Sequence, residues 1–143
     1  MMRAETELRL FHVVVGSILV IPLVAGLTGA LGGLELFAAL FREDANEIVV
    51  APALRNHLRA ITFMFFMIAP LVVWTLRDLE ARAGGFRIVL GVAFAAGFVR
   101  LLGRFVDGPP GVMATIFMVM ELAVLPAVLV WHARLIRART AIG

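Results

Sequence analysis

A single carboxylate, Glu121, interrupts a stretch that is otherwise uncharged over residues 108–133. If that stretch crosses a bilayer, the side chain lies near the middle of the hydrocarbon, where an ionised group costs about 2.5 to 3.5 kcal/mol on insertion scales and needs a partner. The sequence offers arginine. Only twelve residues, 88–99, separate Arg87 from Arg100, too few for a span of about 20. The third apolar segment must therefore run on to about Gly103 and carry Arg100 into the membrane. Arg59, with Asn56 one turn before it, enters the second segment at the same level. At about 1.5 Å rise per residue, Glu121 lies roughly 14 Å into its helix and Arg100 about 5 to 8 Å from the end of its own, a gap that an arginine stem bridges.

These residues predict an outward-facing polar pocket that binds a ligand, walled by Arg59, Arg100 and Glu121, with Asn56 beside Arg59 and with Arg104 and Asp107 at the mouth. Two arginines against one carboxylate leave an excess of positive charge, which points to an amphipathic or anionic lipid-like ligand. Beside this stands a plainer reading, a structural ion pair that pins the third helix to the fourth and leaves the chain an accessory or scaffolding subunit of a larger membrane complex. Proton-coupled transport through Glu121 is a third reading, and no series of further acids leads away from it.

Other chemistry is thin. There is no cysteine, so disulfides and thiolate sites are absent. His12 and His132 fall at one end of the apolar segments and His57 at the other, so no three-ligand metal set is expected. Ser17 and Thr28 have no neighbouring base, and no glycine-rich phosphate loop is present. Neither catalysis nor a cofactor is expected. A pI near 11.3 would suit nucleic acid, yet the arginines flank helices instead of clustering, and nucleic-acid binding is not expected.

The elements that position these groups follow from composition. With 62% apolar residues, 16% charged residues and mean hydropathy +1.02 over 143 residues, the chain is an integral membrane protein. Four apolar segments predict an all-α fold, a single membrane domain over 1–143. It is a four-transmembrane-helix bundle with helices at about 10–33, 57–76, 86–104 and 112–133. The first apolar run exceeds a signal peptide's and follows Glu5 and Glu7, so it reads as an uncleaved helix.

Between the first two spans, Leu34, Phe37 and Phe41, with Leu36 and Leu40 beside them, form an apolar stripe at helical spacing, while Glu35, Arg42, Glu43 and Asp44 cluster elsewhere. That pattern predicts a short amphipathic helix on the outer membrane surface, or folded over the pocket as a lid, before Ile48 turns the chain back. The stretch 107–111, Asp-Gly-Pro-Pro-Gly, reads as a tight turn. Ala25, Gly29 and Gly33, and likewise Ala93 and Gly97, recur every four residues and suit close helix packing, within the chain or across a homodimer.

All 13 basic residues are arginine, which with the Ala, Gly and Val content suggests a GC-rich bacterial genome. Eight of them (Arg3, Arg9, Arg77, Arg82, Arg87, Arg134, Arg137 and Arg139) fall on one side, against five on the other. The positive-inside rule then places both termini in the cytoplasm of a multi-pass protein of the bacterial plasma (inner) membrane. Trp74 and Trp131, each three residues before an arginine, agree as interfacial residues. The expected partners are membrane lipids, with a homodimer or a larger membrane complex as the alternative.

Asn56-His57-Leu58-Arg59-Ala60-Ile61, Leu79-Glu80 with Arg87, Arg100-Leu101 followed by Asp107-Gly108-Pro109, and Met120-Glu121-Leu122 together resemble the four-helix bacterial membrane family DUF4345 over roughly residues 16–134. The resemblance implies the four-helix fold and carries no established activity. A more distant similarity of architecture extends to the DoxX-like four-helix proteins.

Overall fold

The computed structural model describes residues 2–41, 52–109 and 111–140. All of these are helical except 77–82, 107–109 and 111, so the described chain is all-α. The helices are α1 (Met2–Leu27), α2 (Gly33–Phe41), α3 (Pro52–Leu76), α4 (Ala83–Val106), α5 (Val112–Val119) and α6 (Leu125–Thr140). A wider π-helical turn, Thr28–Gly32, joins α1 to α2, and a second, Met120–Val124, joins α5 to α6. Four helical stretches are long and apolar enough to cross a membrane: Glu5–Gly32, Pro52–Leu76, Ala83–Val106 and Val112–Thr140. The protein is thus a multi-pass membrane protein. The helices overrun the apolar windows of the sequence, because their polar ends continue the hydrogen-bond ladder beyond the hydrocarbon. The short helix expected after the first span is α2. The charged cluster Arg42, Glu43 and Asp44, the return from Ile48, and Pro110 lie outside the described residues.

Two compact units make up the chain, Met1–Val15 with Trp74–Gly143, and Gly16–Val73. In the first, α4 packs along α5, the second π-helical turn and α6. Burial along the last span recurs at Glu121, Leu125, Val128, His132 and Leu135, a helical stripe. Phe11 and Phe86 are fully buried and surround His132: the Phe86 and His132 rings stack at 4.4 Å, and Phe11 meets Trp131 edge-on at 5.2 Å. Lipid is as apolar as these rings, so the contacts hold helices through dispersion and ring geometry, about 0.5 to 1.5 kcal/mol per aromatic pair. Each tryptophan has a polar tie: Trp131 donates to Glu7 at 3.1 Å, and the Arg82 guanidinium lies 4.5 Å over the Trp74 ring.

In the second unit the small residues of the first span bring it against α3. A Cβ on Gly26 would lie 2.5 Å from the backbone nitrogen of Phe66, and one on Gly29 would meet the Thr62 side chain. The stripe Ala25, Gly29, Gly33 is buried, so its close approach serves packing inside the unit. The π-helical turn follows from its own residues. Thr28 Oγ1 donates back to the Val24 and Ala25 carbonyls at 2.8 and 3.1 Å, which bends a helix, and two of the next four residues are glycine. Gly33 ends the segment at φ 70°, a left-handed conformation that a side chain would resist.

Candidate functional site

Glu121 and Arg100 meet inside the first unit. Arg100 Nε donates to Glu121 Oε2 at 3.0 Å, with the Glu121 side chain 8% exposed and that of Arg100 38%. Three local features build this pair. Gly97, one turn before Arg100 on the buried face of α4, leaves no room for a side chain: a Cβ there would lie 2.8 Å from Glu121 Cβ and 2.9 Å from Leu122 Cγ. The Cβ of Glu121 therefore rests directly against the α4 backbone.

Pro126 supplies no N–H for the Leu122 carbonyl, and the preceding turn widens so that the Leu125 N–H reaches back to the Met120 carbonyl. This π-helical turn contains Glu121, and such turns occur frequently at functional sites. The Phe117 ring, one turn earlier and buried, lies 5.6 Å beneath the Arg100 guanidinium. A cation over a ring gains about 0.5 to 2 kcal/mol depending on desolvation. Of the five N–H donors on Arg100, only the Nε–H is engaged: among the described residues the two terminal nitrogens find no acceptor.

The other residues expected at this site are distributed as follows. Arg104 and Asp107 lie exposed at the end of α4, and the Asp107 N–H closes the helix on the Gly103 carbonyl at 2.7 Å. Arg59 belongs to the second unit, where its Nη1 donates to the Ala30 and Leu31 carbonyls at 3.0 and 2.7 Å. These are carbonyls of the first π-helical turn, so Arg59 holds that turn as well as carrying charge, a role its position in the sequence did not disclose. Asn56 is exposed one turn before it. Glu35 of α2 pairs with Arg55, and its carboxyl lies below the usual glutamate range, first because its own backbone N–H donates to it and then because of the Arg55 guanidinium.

Two features escaped the sequence. His132, expected at an interfacial helix end, is fully buried, and among the described residues neither ring nitrogen makes a hydrogen bond of ordinary geometry. The buried stripe of the last span was a readable signal for it. A cavity between the 77–82 turn and the ends of α1, α3 and α6 had no such signal, since it joins residues far apart in the chain.

A family model, DUF4345, a domain of unknown function, matches residues 10–132, and the chain belongs to that family. No curated protein and no solved structure matches it.

Proposed function

We propose that this chain is a binding module of the bacterial plasma membrane, with both termini cytoplasmic, which holds the anionic head of an amphipathic, lipid-like molecule at the Arg100–Glu121 pair. The observation that supports this reading is the open edge of Arg100. Glu121 neutralises the guanidinium from the Nε side, Phe117 covers one face, and the terminal Nη donors remain without an acceptor on a side chain that is 38% exposed. Unsatisfied donors at such depth favour an acceptor supplied from outside, and the paired Nη edge matches a carboxylate or phosphate bidentately.

Thermal melts of the purified chain in neutral detergent, with and without added oleate, test this. A ligand that binds only the folded form raises stability by about 2.7 kcal/mol at a hundredfold excess over its Kd. Oleate should raise the melting temperature of wild type, and Arg100→Lys, which keeps the charge but lacks the planar fork, should lose most of that shift. If oleate acts equally on both, or on neither, the pair is structural and the accessory-subunit reading takes its place.

A further inference from the structure

At the other end of α4 from Arg100, the first unit holds a cavity of about 500 Å³, inside the range of about 300 to 1,000 Å³ usual for small-molecule sites. Three leucines form its apolar wall, and His12, Arg77, Asp78, Glu80 and Arg139 supply its polar groups. Both acids are already committed. Asp78 Oδ1 accepts the Ala81 N–H at 3.0 Å and closes the 77–82 turn, while Glu80 pairs with Arg139 at 3.4 Å. His12 directs its ring nitrogens at the Leu8 and Leu76 carbonyls, at 2.8 and 3.3 Å. The Arg77 side chain has no hydrogen-bond or ion-pair partner among the described residues, and Arg139 meets Glu80 through Nη1. Two guanidinium groups, from the turn and from α6, thus line one cavity with more donors than the protein supplies acceptors. A phosphate suits them better than a carboxylate, because its several oxygens can serve two forks arriving from different elements. Trp74, two residues before Leu76, marks the headgroup level where phosphates are concentrated.

We infer that this cavity is a phosphate site, with Arg77 and Arg139 as its ligands, taking either the phosphodiester of an anionic lipid head in that leaflet, whose charge no choline of its own offsets, or a free phosphate compound from the aqueous phase. Two arms separate the sources. The full chain in neutral detergent is titrated with inorganic phosphate against chloride at constant ionic strength, and the chain in phosphatidylcholine nanodiscs is compared with and without phosphatidylglycerol, melting temperature being read in both. The expected result is a rise in one arm for wild type that the Arg77→Gln/Arg139→Gln double variant largely loses. Each single variant should bind about tenfold or more weakly, the usual effect of removing one charge-assisted contact. A response to inorganic phosphate assigns the aqueous ligand; a response to phosphatidylglycerol alone assigns the lipid head. Arg77→Lys, which retains charge on an exposed side chain, should keep part of the shift and so separates binding from folding. If neither probe moves wild type, or if the double variant shifts as wild type does, the site does not exist.

Discussion

One hydrogen bond decides how the Glu121 carboxylate is tolerated. Its nearest cation is Arg100, and removing one member of a buried pair leaves the survivor uncompensated, at a cost of about 3 to 5 kcal/mol, whereas removing both is milder. Melts of Glu121→Gln, Arg100→Gln and the double variant should therefore be strongly non-additive. Strictly additive losses would show that the two charges are stabilised separately. His132 presents the opposite case, a buried ring stacked on Phe86 whose two nitrogens make no hydrogen bond of ordinary geometry among the described residues. Leaving such groups desolvated costs about 1 to 3 kcal/mol, and an apolar ring of similar shape avoids it. His132→Phe should raise the melting temperature while His132→Ala lowers it. A loss in both variants would mean that the imidazole has a partner the apolar ring cannot replace. Glu121 and Arg100 were legible in the sequence because charge stands out against hydrocarbon. The burial of His132 was less so, because an imidazole at a helix end is equally at home in the interface.

Elements place these residues through backbone, not side-chain, features. Gly97 lets α4 touch Glu121, so Gly97→Val should clash with Glu121 and Leu122, cost about 1 to 3 kcal/mol as overpacking does, and separate the ion pair. Melts of Gly97→Val in wild-type and Glu121→Gln backgrounds check this, the penalty being smaller where the pair is already gone. The small-residue spacing foretold that close approach, but the π-helical turns were not legible, since proline and glycine mark a disturbed helix without saying whether it kinks or widens. Arg59 illustrates the consequence. The sequence offered Arg59 only as a wall of the pocket, yet its two bonds to the Ala30 and Leu31 carbonyls predict that Arg59→Ala lowers the ligand-free melt, by about 1 to 3 kcal/mol. Glu35 ties α2 to α3 through Arg55. Because its folded pKa is depressed, its contribution is present above the ordinary glutamate value of about 4.3, and is lost as pH falls through the lower folded value. Thermal stability at low ionic strength should drop on acidification below about pH 4, with a shallower drop in Glu35→Gln and in high salt, which screens so exposed a pair.

For the whole molecule, the strongest signal was the simplest. Apolar runs bounded by arginine disclosed four spans and an all-α membrane fold, because in lipid each backbone group must be satisfied within its own helix. The division into Met1–Val15 with Trp74–Gly143, and Gly16–Val73, was not disclosed, since it rests on segments far apart in the chain that come together only after folding. Orientation rests on charge alone. The 77–82 turn, with Arg77 and Arg82, lies on the arginine-rich side, and Asp107 at the end of α4 lies on the poorer one. Both Ala81 and Asp107 are exposed, and the chain has no cysteine of its own to confuse a labelling experiment. In intact cells a membrane-impermeant maleimide should modify Asp107→Cys at once and Ala81→Cys only after permeabilisation, as the positive-inside rule requires. The reverse pattern would place the Arg77–Arg139 cavity on the outer face and turn the Arg100–Glu121 site toward the cytoplasm. The two proposed ligand sites would then exchange leaflets, and their lipid probes would have to be exchanged with them.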